Sequence, residues 1–208
     1  DFWYENKIQL TLDAMLELGN FNKVPKLVYT DFEYADEELT PLPKETDRNI
    51  SGWKEPNLQR LLAQNNIYGC TMMINRLLAE KAIPIPSSAE NHDYWVSMVA
   101  ASLGEIVHIK KRTILYRQHS NNVSGHYSNN SFKKRFQRYY RRNEQLEKMM
   151  RMRFEMAGEL HNRFYKDISE SNQKLLLGYS NFENHNGIER FSFCFKKGIE
   201  KDSFLQSL

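Results

Sequence analysis

Apolar positions recur along this chain with two periods, and the switches between them set out its elements. In "ENKIQLTLDAMLEL", Ile8, Leu12, Met15 and Leu16 recur at helical spacing, and Gly19-Asn20 closes the pattern. "KLVYTDFEYA" is β-rich through Leu27, Val28 and Tyr29, bounded by Pro25 and by acidic residues. Residues 40–57 hold Pro41, Pro43, Gly52 and Pro56 and are expected to be loop. "NLQRLLAQN" predicts a short helix, and "IYGCTMMINRLLAEKA" runs from a strand-like piece into another helix that "IPIPSS" breaks. "DYWVSMVAASL" is apolar or small on nearly every face, as in a helix buried within a larger core. Two short strands follow, Ile106 to Ile109 and Thr113 to Tyr116.

Strands alternating with helices predict an α/β layered domain. Beyond the Asn/Ser/Gly-rich linker of residues 120–131 the pattern changes. Phe132, Phe136, Tyr139, Leu146, Met150, Phe154, Ala157, Leu160 and Phe164 step by threes and fours, which predicts one long amphipathic helix. One or two shorter helices are expected in "NQKLLLGYSNF" and "GIERFSFCFKKGI". The expected organisation is an α/β part over residues 1–130 and a helical C-terminal extension over 131–208.

At 208 residues with 40% hydrophobic content, the chain has enough material for a real core. The net charge of +3 is mild, but its distribution is uneven. Acidic residues crowd 31–47, while "KKRFQRYYRR" at 133–142 is strongly basic. The helical stripe of that run points its aromatics at a core or a bilayer surface, so a solvated helix face, or contact with an anionic membrane, is expected there in preference to nucleic acid. Cys70 and Cys194 form no disulfide framework, which fits a reducing compartment. No apolar run reaches the ~20 residues needed to cross a bilayer, and no signal peptide is visible.

Three stretches carry candidate chemistry. In "ENHDYWV", Asp93 is placed either to cap the following helix or to act as a general base at the end of a rigid element, with Glu90 suited to the helix end. In "YRQH", Arg117 has the fork to clamp a phosphate and His119 the imidazole to hold a divalent metal. In "YGCT", Gly69 permits close backbone approach to a ligand, while Cys70 reads as a small buried thiol rather than a nucleophile. No CxxC or HExxH pattern indicates zinc.

Taken in order, these segments resemble bacterial family-2 glycosyltransferases of the GT-A fold, in their rhamnosyltransferase-like branch. "DFWYENKIQLTLDAM" is similar to the stretch opening "DQDDxWxxxKI", and "LVYTDFEYADEEL" to the strand and acidic loop that follow it. "NNIYGCTMMINRLLAEKAIPIP" resembles "GCTMxxNRxLxxxAxPxP", "ENHDYWVSMVAASLGEI" resembles "MHDWWxxLxAxxxGxI", and "TILYRQHSNNVSG" resembles "xLYRQHxxNxxG". The likeness covers residues 1–128. It implies the acceptor-side, C-terminal part of a GT-A domain with a helical tail, and a chain that opens at the last Asp of "DQDD", without the nucleotide-binding half.

The resemblance also implies roles. Asp93 would be the catalytic base of an inverting, metal-dependent sugar transfer. His119, with Asp1 flanking, would hold Mg2+ or Mn2+. Arg117 and Gln118 would lie near the donor diphosphate. Gly69, Cys70 and Thr71 would line the sugar and acceptor cleft, with His92, Trp95 and Glu90 on the acceptor side. The implied donor is a dTDP-linked deoxyhexose such as rhamnose, and the acceptor a saccharide or lipid-linked saccharide for cell-surface polysaccharide. The implied location is cytoplasmic, peripheral to the inner face of the membrane through the 132–165 helix.

Overall fold

The computed structural model of the chain describes residues 1–20, 22–42, 55–118 and 132–199, the side chains of 132–146 excepted. The expected linker at 120–131 and most of the expected 40–57 loop lie outside the described residues. The described chain is mixed α/β, as the pattern predicts.

A four-stranded sheet has the order β1-β4-β2-β3, with β1 Phe2–Trp3, β2 Lys26–Ala35, β3 Met72–Ile74 and β4 Glu105–Arg117. β2 and β4 run parallel at its centre, and β1 and β3 are antiparallel edges. Parallel neighbours need a long crossover. It is supplied here by α2 (Leu58–Ala63), β3, α3 (Arg76–Ala82) and α4 (His92–Leu103).

The two strands expected at 106–109 and 113–116 are one. The charged Lys110 and Lys111 do not break it, because the β2–β4 register shifts there: Thr30 faces Ile109, whereas Asp31 faces Arg112. A second shift precedes the Glu33–Leu115 pair. Gly104 makes the entry into β4 possible. A Cβ at that position would lie 1.9 Å from the Pro25 carbonyl oxygen, which accepts the Glu105 N–H at 3.0 Å.

On one sheet face lies a continuous apolar cluster. It takes Leu27 and Tyr29 from β2, Tyr94 to Val96 and Met98 to Ala100 from α4, and Phe154, Met156, Ala157, Leu160 and Phe164 from α5 (Phe132–Phe164). Leu175, Leu176 and Tyr179 of α6 (Glu170–Ser180) complete it, so this core draws on both sides of residue 130. The nearly all-apolar α4 is buried there, as its composition predicts. Two of its buried polar groups are satisfied: the Trp95 indole N–H donates to the Ala82 carbonyl at 2.8 Å, and the Tyr94 hydroxyl to that of Leu61.

α1 (Lys7–Glu17) packs across β2, β3 and β4. Its orientation corrects the sequence expectation. The buried positions are Lys7, Thr11 and Met15, while Ile8, Leu12 and Leu16 are exposed. Polar residues are buried around it: Lys26 reaches the Leu18 carbonyl at 3.2 Å and Glu105 at 2.6 Å, and the Thr30 and Thr113 hydroxyls bond at 2.6 Å. A helix laid over such a surface turns inward the side chains that surface accepts. The C-terminal pattern resolves into α6 and α7 (Gly187–Lys197); the latter opens with a capping box of Asn186 and Glu189 and closes on left-handed Gly198.

Candidate functional site

Asp93 stands in the first turn of α4, but it does not cap that helix. The N-cap position is Asn91, which makes no side-chain cap bond. The Asp93 carboxylate instead reaches across the chain. Its Oδ2 accepts the Gly69 N–H at 2.9 Å, and its Oδ1 accepts the Asn65 amide at 3.3 Å. Asn65 is itself fixed by both backbone groups of Ile67, at 3.0 and 3.1 Å. Two donors from another element thus hold the carboxylate, and its remaining lone pairs are open to a ligand proton.

Gly69 opens a 3-10 turn, Gly69–Thr71, that leads into β3. A Cβ on Gly69 would sit 2.9 Å from His92 Nε2 and 3.4 Å from the Asp93 Cβ, so the missing side chain is what lets the turn lie against the start of α4. Thr71 is buried, its hydroxyl donating to the Tyr68 carbonyl at 2.7 Å. His92 is exposed beside Asp93.

Cys70 packs with Tyr34, Tyr68 and Tyr116 against buried Phe32 and Ile114. Burial pushes its thiol up, so it is not a poised nucleophile. The aromatic rings form a connected group: Tyr68 lies 4.7 Å from Phe32 and 5.7 Å from Tyr116, and Tyr116 lies 5.9 Å from Tyr34. Burial raises the Tyr68 hydroxyl, with Tyr34, Tyr116 and the Asp93 charge adding to it. That hydroxyl is hydrogen-bonded with Tyr34 and stays protonated at neutral pH. Through this group the end of β4 joins the turn that binds Asp93.

At that strand end, the Arg117 N–H donates to Asp1 Oδ1 at 3.3 Å, and the Gln118 N–H to the Ala35 carbonyl at 2.7 Å. Asp1 and Arg117 are thus brought together. Gln118 Nε2 is buried without a hydrogen-bond partner among the described residues. His119 lies outside the described residues. Among the described residues no group of three His, Cys, Asp or Glu could hold a metal ion.

Two expected site residues are placed elsewhere. Trp95 has no exposed surface; it lies in the core under the Arg163 guanidinium, 4.9 Å from its ring centroid. Its α4 position turns it away from Asp93. Glu90 is occupied by Arg153 of α5 at 2.8 Å, and Arg153 also donates to the Ala63 carbonyl at 2.8 Å. That nearly buried pair fastens α5 to α4 and α2, so Glu90 is a structural partner rather than an acceptor contact.

Several neighbours have no counterpart in the sequence reading. Asn65 gives no motif signal. Tyr34 and Tyr116 could have been found by following the two-residue period through β2 and β4. A His108–Asp31 pair at 2.6 Å, with His108 stacked on Tyr29 at 4.4 Å, joins the two central strands on the core side.

Comparison with models of known protein families, with curated proteins and with solved structures finds no match to this chain.

Proposed function

We propose that the chain is the acceptor-side part of an inverting glycosyltransferase that moves a sugar from a nucleotide diphosphate donor to a saccharide acceptor. The observation that carries this reading is the direct bond between Asp93 and the Gly69 backbone, across 24 positions of sequence. It joins "HD" to "GCT", the two segments whose order resembles the family-2 enzymes. It also fixes a carboxylate beside a cluster of tyrosines.

The chemistry follows from that placement. Asp93 accepts the proton of the acceptor hydroxyl as its oxygen bonds to the anomeric carbon. The bond from that carbon to the diphosphate oxygen breaks on the opposite side, the electron pair leaves with the diphosphate, and the configuration inverts. Tyrosine faces suit the C–H faces of a sugar ring. The donor read from the resemblance is a dTDP-linked deoxyhexose. The divalent cation, Mg2+ or Mn2+, with His119 and Asp1 near it, stays part of the proposal on that same ground.

Asp93→Asn tests this reading, because it keeps the shape of the side chain and removes the base. Transfer from donor to acceptor should fall by roughly 10²–10⁴-fold with donor affinity nearly intact. Unchanged turnover would take Asp93 out of the mechanism.

A second reading, a membrane-surface module without activity, is favoured by α7. Ile188, Phe191 and Phe195 form an exposed stripe on it, and Lys196 and Lys197 follow at its end. The side chains of the basic run 133–142 lie outside the described residues. Among the described residues no helix is long and apolar enough to cross a membrane. Co-sedimentation with vesicles containing anionic lipid should be lost on changing Phe191 and Phe195 to Ser; no binding by the unmodified chain disposes of this reading.

A further inference from the structure

Lys7 is the first residue of α1 and is 1% exposed, yet its ammonium has no hydrogen-bond acceptor among the described residues. Its recorded neighbour is the ring of Trp3, 4.4 Å from ammonium to centroid. A face of π electrons offsets only part of the cost of taking an ammonium out of water. The other nearby group is Cys70, which lies within electrostatic reach of both Lys7 and Asp93. Burial keeps that thiol protonated, so it supplies no counter-charge. The Thr11 hydroxyl, one turn along, is committed to the Lys7 and Ile8 carbonyls at 2.9 and 3.1 Å.

The start of α1 adds positive potential of its own. The N-cap of α1, Asn6, makes no side-chain cap bond, and no acidic residue stands in the first turn. The positive end of the helix therefore lies open at the same place as the unpaired ammonium. Burial alone would drive Lys7 toward its neutral form. A bound anion reverses that preference.

From this convergence we infer that Lys7 is the anion-binding side chain of the candidate site, and that it takes the diphosphate of a phosphate-bearing ligand. The choice of diphosphate rests on the sugar-transfer reading above; the presence of an anion site does not. Asp93 and Lys7 then divide the site between them across the 69–71 turn. The carboxylate serves the incoming hydroxyl, and the ammonium stabilises the charge that develops on the departing diphosphate. Trp3, half exposed on the edge strand, covers the ammonium and reports on its occupancy.

The test is binding of inorganic pyrophosphate to the 208-residue chain, followed by calorimetry and by tryptophan fluorescence, to which Trp3 contributes. The unmodified chain should bind it, Lys7→Arg should bind comparably, and Lys7→Met should bind about 10–100-fold more weakly. Near-ultraviolet circular dichroism of Lys7→Met checks that the fold is kept. In the unmodified chain the Lys7 side-chain NMR signal should also shift on adding pyrophosphate, a readout that needs no variant. Absence of binding, an unmoved Lys7 signal, or equal binding by a folded Lys7→Met chain overturns the assignment. Pyrophosphate carries no sugar, so the two readings fail separately. Lys7-dependent binding without any transfer sinks the transferase and keeps the anion site. Transfer without Lys7-dependent binding does the opposite.

Discussion

The two faces of the sheet are built on different physics. The face under α4, α5 and α6 is closed by apolar packing, with Leu160, Met156, Leu176 and Tyr94 essentially without exposure. The face under α1 has a small apolar nucleus of Phe32 and Ile114, and beyond it buried polar groups: Lys7, Lys26 and the Thr30–Thr113 pair. Burying apolar surface stabilises without direction, whereas each buried polar group must find a partner or cost free energy. The first face therefore holds the fold, and the second holds groups whose charge and protonation are poised. The candidate site lies with the second.

That contrast can be broken most strongly on the core side. Leu160→Ala removes a fully buried side chain where α5 meets the cluster. It should cost about 2–5 kcal/mol in urea unfolding, and to similar extent at every pH where the protein is folded. A loss under about 1 kcal/mol would mean that the α5 side does not carry the core.

A smaller, pH-dependent effect is expected where Tyr4, just past β1, meets Glu33 of β2. The bond from the Tyr4 hydroxyl to Glu33, at 2.5 Å, together with burial and the Glu33 charge, pushes that hydroxyl from 10.0 up to about 12. A folded value above the unfolded one favours the protonated, folded form. Its stabilisation is complete below pH 10 and is lost as pH rises from 10 toward 12. Tyr4→Phe should cost about 1 kcal/mol at neutral pH and flatten the fall in stability across that alkaline window. Parallel curves for the two proteins would show that the pair carries no such linkage.

Much of this was legible from periodicity. The helices, the central strands and the long α5 follow from spacings of three to four and of two. What periodicity missed is instructive. In α1 the stripe of Ile8, Leu12, Met15 and Leu16 predicts the buried side, but only Met15 of the four is buried, because the surface beneath the helix is polar and partner rather than pattern decides which side is covered. In "ENHD" the helix-start signal is genuine, yet the Asp93 carboxylate bonds Gly69 instead of its own helix, because the missing Cβ brings that amide within reach. Trp95 and Glu90 sit next to the site in sequence, and helical rotation and Arg153 take them away from it. Asn65 gives no motif signal, and Lys7 falls in the "DxWxxxKI" stretch without that pattern showing that it is buried; the importance of both lies in what surrounds them.

The register shifts in β4 have a consequence for how this strand can change length. Before them, Ile106 and His108 belong to the core side; after them, Ile114 and Tyr116, also even-numbered, join Phe32 and Tyr34 on the opposite side. β4 is therefore written in two frames, with Lys110 to Arg112 at the first point of change. Removing or adding one residue there would turn over every side chain on one flank, sending Tyr116 out of the aromatic group and Arg117 toward it. Removing or adding two would leave both flanks facing as they do. Change in this strand is quantised in pairs, and the segment between its frames is where such pairs are most readily accommodated.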